Sequence, residues 1–186
     1  MQKTILLMMF IVIAATSFSQ SLLTPYSIYS VESDNVLPVI LLNGKKELSG
    51  KFDLIYIAYI NKNIAKTMVG FSYQPEHWFR LGLVAGVEKS TAGYRIGTNV
   101  WLGKDKYSLL VIVDKGRGVK NYFYHAMGTY QLNQNVDVGI NAWRFHGIGP
   151  HIGYRFSKLD TRVWFAPLYD SEFEQLRIVC GLNIKI

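Results

Sequence analysis

The sequence has a single cysteine, Cys180, only five prolines in 186 residues, and no run of charge of either sign. One cysteine excludes an intramolecular disulfide framework and the cysteine-rich zinc modules. Acidic residues are outnumbered, 13 Asp and Glu against 20 Lys and Arg, giving a formal charge of +7. The basic residues stand singly, so the stripe that grips nucleic acid is missing and no nucleic-acid partner is expected. Long apolar runs are also missing beyond the N-terminus. The longest, residues 36–42, is broken by Pro38 and falls far short of the roughly 20 residues of a membrane helix. Such a chain enters a bilayer only as a barrel, because in lipid only helices and closed barrels satisfy every backbone group.

The N-terminus itself reads as an address. Lys3 supplies a positive start, residues 5–15 an apolar stretch, and Ser17-Phe18-Ser19 the small residues of a cleavage site. Cleavage after Ser19 would leave Gln20 first and lower the formal charge from +7 to 7 − 1 = +6. The domain reading is therefore a signal peptide over 1–19, an N-terminal segment over 20–50 and a barrel over 51–186.

From residue 51 onward the dominant signal is period-two alternation. Phe79, Leu81, Leu83, Ala85 and Val87 share one side of an extended chain, against Arg80, Gly82, Val84, Gly86 and Glu88. Tyr94, Ile96, Thr98, Val100 and Leu102 likewise oppose Arg95, Gly97, Asn99 and Trp101, and Val136, Val138, Ile140 and Ala142 oppose Asp137, Gly139, Asn141 and Trp143. Successive side chains of a strand point to opposite faces, so each stretch has an aliphatic face and a mixed one. Gly82, Gly86, Gly97, Gly139, Gly153 and Gly181 all fall on the mixed face. A narrow lumen needs such room for large neighbouring side chains, whereas the wet face of a soluble sheet favours Lys, Thr and Glu. Tyr94, Tyr107, Tyr122 and Tyr154 flank the aliphatic rows, where interfacial girdle residues belong.

The fold expected is all-β: a closed antiparallel transmembrane β-barrel of about ten strands, with eight or twelve as the alternatives. Ten segments are read, at 52–60, 66–74, 78–87, 94–102, 107–113, 122–132, 136–145, 151–156, 161–167 and 176–186. Asn61-Lys62-Asn63, Lys89-Ser90-Thr91 and Asn133-Gln134-Asn135 are read as turns, and 114–120 and 169–174 as the longer connections. In 52–60, Ile55 and Ile57 share a face with Asp53, so that segment's facing stays open. Residues 21–50 carry Pro25, Asp34-Asn35, Pro38 and Asn43-Gly44 at short intervals and read as an arm, a plug, or an extra hairpin that would raise the count to twelve.

Thr24-Pro25-Tyr26-Ser27-Ile28-Tyr29 resembles the opening of many exported outer-membrane barrel proteins of Bacteroidota, with Ile28 where that pattern usually has Arg. The strand rhythm of 51–186 and its short turns resemble small outer-membrane β-barrel proteins of Gram-negative bacteria. The resemblance implies residence in the cell outer membrane with lipid as the surrounding partner. Small anions or another envelope protein are the further candidates.

The mixed face supplies the site candidates. Arg80, Arg95, Arg155, Arg162 and Arg177 would point inward against Glu88 and Asp137. Either they form ion pairs that plug a narrow barrel, or they line a weakly anion-selective passage. No catalytic residue, metal site or cofactor is expected, and the function reads as non-enzymatic: a structural or adaptor barrel or a narrow pore. Two alternatives stay open. One is a lipid-modifying enzyme using His125 with Thr129 on the same face; the other is a soluble exported barrel or sandwich. His77 falls in a turn, and His146 and His151 bracket Gly147–Pro150 at a rim with no further ligand to complete a metal site. Replacing Leu83 or Val138 with Arg should be costly, and replacing Gly139 or Asn141 with a polar residue of similar size should be milder.

Overall fold

The computed structural model describes residues 20–89, 93–117 and 121–186. The expected signal peptide, residues 90 and 91 of the expected turn at 89–91, and residues 118–120 of the expected connection at 114–120 lie outside the described residues. Twelve antiparallel strands close into a barrel: β1 (Gln20–Ser30), β2 (Asn35–Ser49), β3 (Phe52–Asn61), β4 (Ala65–Glu76), β5 (Phe79–Lys89), β6 (Gly93–Lys104), β7 (Tyr107–Gly116), β8 (Tyr122–Gln131), β9 (Val136–Trp143), β10 (Gly147–Phe156), β11 (Thr161–Asp170) and β12 (Gln175–Lys185). Each strand pairs with its sequence neighbours, and β1 pairs with β12 to close the wall.

The count corrects the ten-strand expectation to the twelve-strand alternative. Residues 20–49 are the first hairpin of the wall, and the reason they looked broken is their prolines. A proline donates no hydrogen bond to a ladder, so inside a sheet it needs a side with no partner. Pro25 lies where the β1–β12 pairing lapses between Leu23 and Tyr26. Pro38 lies one residue outside the reach of β3, whose pairing with β2 begins at Val39. Pro75 sits in the irregular step between Tyr73 and Glu76. Pro150 and Pro167 face each other across β10–β11, where pairing lapses between Ile148 and Ile152. All five prolines thus occupy gaps in the ladders.

The connections are shorter than expected. Asp114–Gly116 belongs to β7, Tyr169 and Asp170 to β11, and Gly147–Pro150 to β10 rather than to a rim loop. Gly147 has φ of 103°, and a side chain there would run into the Tyr169 backbone, so only glycine starts β10 in this way. The asparagine turns are as read. Asn61 Oδ1 accepts from the amides of Asn63 and Ile64, both at 2.8 Å, and Asn133 Oδ1 does the same for Asn135 and Val136 at 2.9 Å.

Facing follows the alternation. Leu83, Ile96 and Ile140 are about three-fifths exposed on the outer wall (62%, 63% and 62%). Phe52 against Tyr73 and Tyr107 against Tyr130 make aromatic pairs at 4.8 and 4.9 Å on the end where β1 begins and β12 finishes. Tyr94, Tyr122 and Tyr169 are exposed at the opposite end. Inside, Ile28, Ala166, Leu168 and Val179 are buried beside Trp143 and Trp164. The glycines make the expected room: Gly153 lies under the Arg162 guanidinium and Gly181 under Tyr26 and Trp164. Gly139 corrects its own expectation. A side chain there would strike the Gly128 carbonyl, and Asn141 is buried against His125, so neither tolerates polar replacement.

Leu83→Arg or Val138→Arg, mid-strand on the outer wall, should cost about 2–4 kcal/mol in a bilayer, whereas Met127→Gln on the inner face should cost less. Urea unfolding in lipid vesicles measures both. Equal sensitivity of the two faces would mean that the outer wall does not face lipid.

Candidate functional site

The inner faces of the strands enclose a cavity of about 470 Å³. Its charged groups gather toward the two ends. At the end opposite the chain termini, Arg95 donates to Glu88 and to Asp114, and its remaining nitrogen donates to Asn121 Oδ1 at 2.7 Å. Lys66 Nζ donates to the other Asp114 oxygen at 2.9 Å. The strand register brings these together. Glu88 and Arg95 flank the β5–β6 hairpin, and Asp114 lies opposite Gly97, whose missing side chain leaves room for its carboxylate. At the same end Arg177 lies 3.6 Å from Asp170 and 3.1 Å from His146 Nδ1.

A second group lies nearer the termini. Arg162 binds Asp137 through two nitrogens and approaches His151 Nε2 at 2.6 Å. Lys45 lies 3.4 Å from Asp53, which also accepts from Ser72. Arg80 differs: its guanidinium sits 5.8 Å from the Trp101 ring centre and, among the described residues, joins no ion pair. Arg155 is exposed at the rim, outside these networks.

Of the seven charged candidates, the structure brings Glu88 with Arg95, and Asp137 with Arg162. It gives Arg177 a partner in Asp170 and leaves Arg80 and Arg155 apart. Asp114, Lys66 and Asp170 were missed. Asp114 shares the inward row of Leu110 and Ile112, and that alternation was the available signal. It was overlooked because Asp114 was read as the start of a loop.

Between the charged ends lies an aromatic belt. His125 stacks on Trp143 at 4.6 Å, His146 meets the same indole edge-on at 4.7 Å, and Tyr26 leans on Trp143 and Trp164 at 5.6 and 5.8 Å. His151 stacks on Trp164 at 5.9 Å. His125 Nε2 lies 2.7 Å from Asn141 Oδ1, while Thr129 bonds Ser108. A base needs its nucleophile within hydrogen-bond reach, and His125 and Thr129 are not brought together. His146 lies in the β9–β10 turn and His151 within β10, where they meet different indoles, Trp143 and Trp164. Among the described residues no group of three or more His, Cys, Asp or Glu could hold a metal ion. His77 lies in the β4–β5 turn.

Among solved structures the chain is similar to the KdgM porin at 15% identity, with a TM-score of 0.58 over 88% of this chain and 98% of that one. The KdgM porin in complex with disordered oligogalacturonate matches to the same extent. The NanC porin is 9% identical, with a TM-score of 0.55 over 88% of this chain and all of the other (100%). No protein-family model and no curated protein sequence matches. The likeness shows the fold: a small, closed, porin-like β-barrel.

Removing one partner of a buried pair is costly because the other charge stays behind. Arg95→Met, which takes away the cation shared by Glu88 and Asp114, should cost about 3–5 kcal/mol. Arg80→Met gives up a ring contact of about 1 kcal/mol and a longer-range attraction to Asp53, and should cost less. Denaturant midpoints in lipid vesicles compare the two, and equal losses would show that the pairing carries no weight.

Proposed function

We propose that the protein is a non-enzymatic integral barrel of the cell outer membrane that forms a narrow passage for small solutes. The observation that carries this reading is the closed twelve-strand wall, apolar outside and enclosing a cavity of about 470 Å³. The aliphatic rows on the outer face support lipid as the surrounding partner, since a soluble barrel of the lipocalin kind turns its apolar rows inward. Export by a cleaved signal peptide over 1–19, and an envelope of the Bacteroidota type, belong to the same reading. The likeness to porins supports a channel rather than an enzyme, and the amide partner of His125 supports it further.

The passage is narrow. Open aqueous lumens belong to barrels of roughly sixteen or more strands, and here Ala166, Leu168 and Val179 are wholly buried inside the wall (0% exposed). Those three residues favour the second reading, a filled barrel with a structural or adaptor role toward another envelope protein. Any preference for small anions rests on Arg80 and Arg155, because Arg95, Arg162 and Arg177 already face carboxylates.

Planar-bilayer recording separates the readings. Small conductance steps with a weak anion preference, reduced by Arg80→Gln, are the expected result. Arg95→Gln should shift the preference toward cations, because Glu88 and Asp114 lose the cation they share. A silent bilayer from heat-modifiable, folded protein would overturn the passage in favour of the filled barrel.

A further inference from the structure

Resting on the passage reading, we infer that the solute the lumen holds is an uncharged aromatic molecule with one polar group, of the phenol or indole kind. The inner face departs from what a channel for sugars or ions needs. Leu41, Ile57, Met68, Ile112 and Met127 all line the cavity from the inward rows of β2, β3, β4, β7 and β8. Ile57 and Met68 are direct cross-strand partners, as are Leu41 and Tyr59. A hydroxyl-rich solute pressed against this stretch of the wall would lose hydrogen bonds to water and recover them only at polar groups elsewhere on the lining, such as Thr98 and Asn99.

Three features select within the apolar solutes. The same cavity carries the linked rings of Tyr26, Trp143 and Trp164, with Leu41 and Tyr59 packed against them, and aromatic rings favour tilted or offset packing with other rings. The thioethers of Met68 and Met127 face the same space, and methionine sulfur packs well against ring edges while adapting to their shape. Among the polar groups between the charged ends, Asn141 is already engaged by His125, while the amide of Asn99 lines the cavity and is suited to one hydroxyl or ring N–H.

Charge is selected against. Lys66, Arg95 and Arg162 line the cavity, but each lies against Asp114, Glu88 or Asp137. A carboxylate solute would have to displace an existing partner before binding. A volume of about 470 Å³ falls within the roughly 300–1,000 Å³ of small-molecule sites and accommodates such a ring system.

The test is equilibrium dialysis of radiolabelled indole against the folded barrel in lipid nanodiscs, with empty nanodiscs subtracted for partition into lipid. Saturable binding near one indole per barrel is expected, weakened at least tenfold by Ile112→Asn and unchanged by Val87→Ala on the lipid face. If Ile112→Asn fails to fold, Met68→Gln, of similar shape, should weaken binding in the same direction. A barrel that conducts but shows no saturable indole excess overturns the inference and leaves the passage standing. A barrel that binds indole but is electrically silent keeps the site and overturns the passage. Displacement of indole by a galacturonate trimer at equal concentration would overturn the aromatic assignment.

Discussion

The backbone hydrogen bond between β1 and β12 is the interaction on which the rest depends. In lipid an unpaired N–H or C=O has no water to turn to, so a sheet with free edges cannot stay in the bilayer. Closure removes both edges at once, with Ser27 opposite Cys180 and Tyr29 opposite Ile178 along the seam. It also dictates where prolines can stand. Each of the five lies where a ladder has lapsed or ended on one side, so no ladder carbonyl is left facing a ring nitrogen that has no hydrogen to donate. Pro150 and Pro167 share a single gap between β10 and β11.

Once the wall is closed, the interior must be reconciled with the charge it carries. Twelve strands leave a small lumen, and a charge there is tolerated when it is paired and hydrogen-bonded. The inward glycines make that pairing geometrically possible: Gly97 gives Asp114 space to meet Arg95, and Gly153 lets the Arg162 guanidinium lie across its strand to reach Asp137. The paired charges gather toward the ends, leaving an apolar and aromatic middle. That division, more than the number of arginines, sets what the lumen can hold.

Much of this was legible in the alternating rows of β5, β6, β9 and β12, because a two-faced strand writes its facing directly into the sequence. The turns at Asn61 and Asn133 were legible for the same local reason. The first hairpin was not. Pro25 and Pro38 punctuate it, and whether a proline breaks a strand or sits at a gap depends on a neighbour that only closure supplies. Ile55 and Ile57 were ambiguous because the lumen is itself partly apolar, so hydrophobicity no longer marks the outside. The partners of Arg95 and Arg177 were hidden in part because Asp114 and Asp170 had been placed in loops, and the lost alternation removed them from the inward row.

The most direct test of the closed twelve-strand wall uses the native Cys180, which lies opposite Ser27 across the seam. In Ser27→Cys, mild oxidation in intact membranes should form a disulfide joining β1 to β12, seen as a reducible gel shift in nearly all of the folded protein. Failure of that pair to cross-link, together with a cysteine introduced within 52–60 that does join Cys180, would mean that β3 closes the barrel and that the first hairpin lies outside it.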